Sequence, residues 1–355
     1  MIRLGDLSVG FIHSIVAAIE QHGYSANDLL ERFELTPSRL AQPSARLSIP
    51  RYMRLGHAAI QMTNDPALGL SIGRHSLLNQ LGLAGVTAAQ APTARAAARC
   101  ISRFEPLYAQ NYRGSSQLLE DSQGAWLSFY SIAPYNAYNY FVVESVLLGW
   151  ICHLQQVCQQ KLVIERVEIE YPEPSYAECF TQQLNCPIEF NAKHNRIRLS
   201  QANLALTNPQ HCPSTWHALL ELCEEQLALK TRSYSLVEQV SQLVAPLLKN
   251  GEPSIELIAQ KLHMPAWTLR RKLSAQGTQY RQLVNQIRFD LASSYIRDTD
   301  LTFGEITWLL GFSSPEAFQR AFKRWAQQTP GDYRKAKLAH HQRSAQSSSN
   351  RPFNL

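Results

Sequence analysis

The chain has 355 residues, 45% of them hydrophobic and 17% charged, with seven cysteines and a formal charge of +6. That is a globular composition, long enough for two or three domains. The longest apolar run, 141–154, contains Glu144 and is too short to span a bilayer. The apolar start, 1–23, is interrupted by Asp6, His13 and Glu20 and has no small-residue cleavage site, so neither a membrane segment nor a signal peptide is expected. Cysteines in odd number without C-x-x-C spacing predict reduced thiols in a cytoplasmic protein.

From the N-terminus, helical periodicity predicts helices over 7–21, 25–33 and 50–62, the last entered at Pro50 and followed by the turn Asn64-Asp65-Pro66. An amphipathic helix is expected over 92–108, with Ala96, Cys100, Phe104 and Leu107 on one side. The segments 117–119 and 125–131 bracket Asp121-Ser-Gln-Gly124 as a β-hairpin. A buried helix follows over 138–157, then a half-buried strand over 163–170 and a helix over 175–184. Residues 188–190 and 196–199 read as a second hairpin. This α+β domain is expected to end near Leu206.

Beyond it, Trp216, Leu220, Cys223 and Leu227 form a stripe spaced 4, 3 and 4 residues apart. It fits either a dimerisation seam or packing against its own domain. His211, Cys212, His217 and Cys223 match no standard zinc spacing, so no metal is expected there. Residues 230–235 read as a polar linker, and 236–248 as an amphipathic helix stopped by Asn250-Gly251.

Two helix-turn-helix patterns then follow in tandem. The first runs from Ser254 to Leu262, turns at His263-Met264-Pro265 and continues over 267–273. The second runs from Thr302 to Leu310, turns at Gly311-Phe312-Ser313-Ser314 and continues over 316–324. A short amphipathic helix, a tight turn and a second helix with a basic face form the arrangement that places one helix in a DNA major groove. The charge agrees: residues 251–355 hold 15 basic and 8 acidic side chains, against 19 and 20 in the rest of the chain. All the excess positive charge therefore lies with the two motifs, as phosphate contact requires.

Leu269 and Leu273 face a core with Ile258 and Leu262, which leaves Trp267, Arg270, Arg271 and Ser274 outside. Phe318 and Phe322 are the core pair of the second motif, with Glu316, Gln319, Arg320 and Lys323 outward. Arginine can bond guanine N7 and O6 in parallel, glutamine can pair with adenine, and glutamate can accept from cytosine N4. Base reading is therefore assigned to Trp267, Arg270, Arg271, Glu316, Gln319 and Arg320. Lys323, Arg324, Arg334 and Lys335 are assigned to phosphates. The competing reading of each face is ordinary solvation. A helix over 280–296, with Leu283, Ile287, Leu291 and Tyr295 on one side, joins the motifs. It can hold them about 34 Å apart, one turn of DNA.

Gly311-Phe-Ser-Ser-Pro-Glu-Ala-Phe-Gln-Arg-Ala-Phe-Lys-Arg324, followed by Thr329-Pro330 and Tyr333-Arg334, resembles the signature of AraC-type transcriptional regulators. Trp267 to Leu273 and Gly277 fit that family's first recognition helix and the turn after it. The resemblance implies base contacts at the same six residues. Departures are His263 in place of glycine, Pro265 in place of a capping serine, Thr307 and Trp308 in place of alanines, and Arg270 in place of glutamine. Ile49-Pro50, Asp65 to Leu70, Leu81-Gly82, Pro92-Thr93 and Phe180 to Phe190 with Cys186-Pro187 resemble the arabinose-binding-like effector and dimerisation domain of one subgroup.

The expected fold is an α+β N-terminal effector domain followed by an all-α DNA-binding domain, its two helix-turn-helix motifs joined by a long helix. The expected boundaries are 1–210 for effector binding and dimerisation, 211–232 for a helical linker, 233–338 for DNA binding and 339–355 for a disordered tail. The expected function is sequence-specific regulation of transcription in response to a small molecule. Its partners are then promoter or operator DNA, RNA polymerase, the effector and a second copy in a homodimer, with no membrane. One alternative is a constitutive or protein-controlled DNA binder whose first domain only dimerises. Another is an enzyme fused to a DNA-binding module. G-x-S-x-G, Walker-type, G-x-G-x-x-G and H-E-x-x-H patterns are missing from the sequence, and Glu144, Cys152 and His153 read as core. No catalytic residue, cofactor or metal is assigned, and the sequence names no effector-binding residue.

Overall fold

The computed structural model describes residues 5–111, 113–232, 234–299 and 301–336, and the tail expected at 339–355 lies outside them. The chain divides into two compact units, with the division between Ser233 and Tyr234. Each has its own apolar core.

The first unit is α+β. Strands β1 (Gly5–Ser8), β2 (Arg46–Ser48) and β3 (Ala109–Asn111) form a small antiparallel sheet in the order β2-β1-β3. A larger sheet contains β4 (Gln117–Glu120), β5 (Gly124–Phe129), β6 (Arg166–Glu168), β7 (Ile188–Glu189) and β8 (Asn195–Ser200), in the order β4-β5-β8-β6-β7. The helix Tyr140–Cys158 is the centre of the unit. Its Phe141 packs with Ile12, Ile15, Leu55 and Leu68, while Val143, Leu147, Ile151 and Leu154 pack with Leu127, Val167 and Ile197 of the large sheet. The helix Leu68–Arg74 approaches it closely because Gly69 and Gly73 lie at the crossing. A Cβ on Gly73 would lie 2.8 Å from the Leu148 Cβ, and one on Gly69 would lie 2.7 Å from the Phe141 Cα.

Several expectations change. The helix expected from Leu7 starts at Phe11, because residues 5–8 pair with β2 and β3 as a strand. The expected hairpin of 188–190 with 196–199 does not form. Strand β8 pairs along all six residues with β5, burying Ile197 and Leu199, and β7 lies parallel to β6 on the other side. The helix expected over 92–108 is two, Ala94–Arg103 and Glu105–Tyr108, the second carrying Pro106 in its first turn. The helix Pro213–Arg232 belongs to the first unit. Its stripe of Trp216, Leu220, Cys223 and Leu227 packs into that unit's core, so intramolecular packing accounts for it.

The second unit is all helical among its described residues. Leu236–Val244 continues as a 3₁₀ turn over Ala245–Asn250, where Pro246 lacks the amide proton that an α-helix needs. Ile255–Lys261 and Ala266–Ala275 form the first helix-turn-helix, and Phe303–Leu309 and Pro315–Ala326 the second. Tyr280–Asp298 joins them, its 19 residues spanning about 28 Å at ~1.5 Å per residue. Leu283, Val284, Ile287, Leu291 and Tyr295 of this helix pack between Leu269, Leu273, Ile306, Phe318 and Phe322 in one continuous core.

Candidate nucleic-acid interface and a buried cavity

Both motifs turn by the same device. In the first, the Met264 amide donates to the Ala259 carbonyl across a left-handed residue, His263 (φ 53°). In the second, the Phe312 amide donates to the Thr307 carbonyl across Gly311 (φ 67°). This is the Schellman closure, in which a left-handed residue lets the chain satisfy the last helical carbonyls and leave at a sharp angle. Gly311 is required twice over, because a Cβ there would also collide with the Leu248 carbonyl oxygen. Ala259 and Thr307 sit buried at the closures, and the Thr307 hydroxyl donates to the Phe303 carbonyl at 2.6 Å.

The turns set the exposed faces of the helices that follow. On Ala266–Ala275, Leu269 and Leu273 are fully buried, while Trp267 is 62% exposed and Arg270, Arg271 and Ser274 are exposed beside it. The Arg271 guanidinium lies 5.4 Å from the centroid of the Trp267 ring, and Arg270 pairs with Glu256 of the preceding helix at 3.1 Å. A large indole held in water with a guanidinium on its face has no packing role in the unit. On Pro315–Ala326, Phe318 and Phe322 are buried while Glu316, Gln319, Arg320, Lys323 and Arg324 are exposed. Ser314 caps this helix by accepting from the Ala317 amide at 3.2 Å. Its hydrogen bond with Glu316 also holds that carboxyl below its usual range, so Glu316 is an anionic acceptor at neutral pH.

The residues assigned to phosphates differ among themselves. Lys323, Arg324 and Lys335 are exposed. Arg334 is half-buried, donates to the Leu301 carbonyl at 2.6 Å and lies 4.5 Å from the Phe303 ring centroid, so it braces the second motif.

The sequence reading missed Arg288. It is 8% exposed, its Nε donates to the Leu310 carbonyl at 3.1 Å, and its Nη1 bonds Glu252 at 3.0 Å. One side chain thus ties the entry of the first motif to the turn of the second. The signal was its place in the row Val284, Arg288, Ala292, Tyr295, which is otherwise apolar or aromatic and buried.

Within the first unit lies a cavity of about 80 Å³. Phe11, Tyr52, Phe129, Ile132, Val146 and Trp150 give it apolar walls, and Glu105 and His153 also line it. The Glu105 carboxylate accepts from the Ser116 amide at 2.6 Å and hydroxyl at 2.7 Å, and burial pushes it up to about 7. His153 is 3% exposed, shares a 2.9 Å hydrogen bond between Nε2 and the Ser76 hydroxyl, and has no partner at Nδ1. Burial pushes His153 down to about 3, so the ring is neutral.

Residues 23–208 match the family model for the arabinose-binding domain of AraC transcription regulator, N-terminal, and residues 258–336 match a helix-turn-helix domain. The ornithine utilization regulator of Pseudomonas aeruginosa is 27% identical over 336 residues, covering 92% of this chain and 96% of that protein. The HTH-type transcriptional regulator VirS of Mycobacterium tuberculosis is 24% identical over 312 residues, covering 86% and 89%. Among solved structures, the transcriptional regulator CdpR from Pseudomonas aeruginosa aligns over 87% of this chain and 96% of its own. Its sequence identity is 21% and its TM-score 0.43.

Proposed function

The chain belongs to the family of AraC transcription regulators, and from that premise we propose that it reads a two-part operator and that a small molecule bound by the first unit controls it. It is a DNA-binding transcriptional regulator, and the family is not one of enzymes. The reading of a two-part operator rests on one observation: two recognition helices, in one helical unit, each bury a hydrophobic pair and leave side chains of base-reading chemistry in water.

In this reading Trp267, Arg270 and Arg271 contact one major-groove segment and Glu316, Gln319 and Arg320 the next. Lys323, Arg324 and Lys335 supply phosphate contacts, and Arg334 contributes mainly by bracing the motif. A homodimer, contact with RNA polymerase and a cytoplasmic location complete the proposal. Selection from random duplex DNA with the full-length protein tests it. A site with two elements about one helical turn apart, ~10 base pairs, is expected. Recovery of a single short element would remove one motif from base reading, and recovery of no preferred sequence would overturn specific recognition.

Effector control requires the ligand to bind the DNA-competent and incompetent states with different affinity. The coupling is reciprocal, so operator DNA must change ligand affinity by the factor by which ligand changes operator affinity. If a ligand alters expression in cells while its affinity is the same with and without operator, control lies at a later step.

A further inference from the structure

We infer that the cavity of the first unit is a binding site for a small, singly charged amine with an apolar body, whose ammonium group pairs with Glu105. The inference rests on the effector-domain reading above and names the ligand class.

A mostly apolar lining makes the ionised form of a carboxyl group costly. Most of the lining is aromatic or aliphatic, and Glu105 is 7% exposed. No Lys or Arg is among the described residues that line the cavity. A carboxylate buried without a counter-charge is costly, yet the Ser116 amide and hydroxyl both donate to Glu105, an arrangement that favours its ionised form. Two carboxylate oxygens offer about four acceptor positions, and Ser116 takes two of them. An incoming ammonium would use the remaining acceptors and supply the missing charge, in a medium where such a pair is stronger than in water. By the same argument a ligand carboxylate is rejected, having no cation to meet.

The neutral imidazole of His153 also lines the cavity. His153 Nδ1 is buried and has no partner, although its ring is held by Ser76. The cavity, about 80 Å³, limits the ligand to a handful of heavy atoms unless the walls move.

The linkage to pH is specific. The titratable groups that act on Glu105 are Tyr108 in its own turn and Tyr130 just after β5, while Tyr52 and His153 line the same cavity. Arg113 lies beside Tyr130 and donates to the carbonyls of Ile132 and Ala133. Burial holds the three tyrosines high and His153 low, so Glu105 alone titrates near neutrality. An ammonium ligand selects the ionised carboxylate. Binding therefore expels a proton from Glu105 below about pH 7, and affinity falls as pH falls, by up to about tenfold per unit.

The test is calorimetric titration of the full-length protein with n-butylamine, 1-butanol and butyrate, at pH 6 and pH 8 and in two buffers of different ionisation enthalpy. Butylamine is expected to bind at least about tenfold more tightly than 1-butanol, with proton release at pH 6, and butyrate not to bind. Glu105→Gln is expected to abolish the preference for the amine and the proton release while changing 1-butanol affinity little. Should that variant fail to fold, the proton release of the unaltered protein and the loss of butylamine binding in Val146→Trp, which fills the cavity, decide the question. Equal binding of amine and alcohol, butylamine binding without proton release, or no binding by any of the three overturns the inference. Operator affinity measured alongside distinguishes the two readings. Amine binding that leaves operator affinity unchanged supports the site and removes effector control. Control by a compound that is not an amine supports effector control and overturns this ligand class.

Discussion

The two helix-turn-helix motifs share one architecture and reach it with different local support. The second has every device in place. Thr302 and Glu305 form a reciprocal capping box, Ser314 caps the recognition helix with Pro315 at its first position, and Gly311 occupies the left-handed turn. Phe312, Phe318, Phe322, Phe289 and Trp325 then surround that turn, with neighbouring ring centroids 5.7–6.1 Å apart. The first motif has Ser254 at its entry, but Pro265 offers its recognition helix no side-chain cap, and His263 holds the left-handed turn without being glycine. Its core pair is Leu269 and Leu273, without an aromatic cluster. The lesson is that local capping and turn chemistry set how much strain a motif carries, while the shared core lets both keep the same shape.

That contrast can be broken at the turns. Gly311→Val should destabilise the chain by about 3–5 kcal/mol, because it adds left-handed strain and drives a side chain into the Leu248 carbonyl. His263→Val should cost about 1–2 kcal/mol, since a β-branched side chain is strained in the left-handed region that histidine tolerates but meets no comparable backbone collision. Urea unfolding of both variants measures the difference, and similar losses would mean that the two turns are not under unequal constraint.

The joint between the motifs comes next in size. Arg288→Met keeps the stem of the side chain but removes the bonds to Glu252 and Leu310. A loss of about 2–4 kcal/mol is expected, since a buried carbonyl and a half-exposed carboxylate lose their shared partner. Affinity for a two-element operator should fall more than affinity for either element alone, and a uniform fall would deny Arg288 a part in setting their spacing.

A smaller effect sharpens the comparison at the DNA. Arg271→Ala and Arg320→Ala should each reduce discrimination by about 1–3 kcal/mol, in different elements of the operator. Equal losses on specific and random duplexes would make either residue a phosphate contact. The smallest change runs the other way. His263→Gly should stabilise the chain by up to about 1 kcal/mol, because relief of left-handed strain outweighs the extra freedom glycine gains in the unfolded chain. An unchanged or lower melting temperature would show that His263 carries no net strain.

Much of the second unit was legible because its information is local. Apolar residues at 3.6-residue spacing, a turn between them and basic residues opposite fix each helix and its outward face, so Leu269, Leu273, Phe318 and Phe322 read directly as core. Arg288 was not legible in the same way. A charged residue on a long helix reads as solvated until two distant partners, Glu252 and the Leu310 carbonyl, are brought to it. Arg334 reads as a phosphate contact for the same reason, before Leu301 and Phe303 come into reach.

The sequence by itself determined the two motifs, the excess charge beside them and the family resemblance along the chain, because each lies in short-range spacing and residue type. Tertiary structure decided the rest of the first unit. Strand β8 chose β5 and β6 over its sequence neighbour β7, since the longer pairing buries Ile197 and Leu199. The stripe from Trp216 to Leu227 turned inward to the core of its own unit. The cavity joins Phe11, Glu105, Phe129 and His153, residues from four separate stretches of chain that only the packed fold brings to one wall. Side chains so far apart in sequence share no periodicity, so nothing in the one-dimensional pattern could have placed them together.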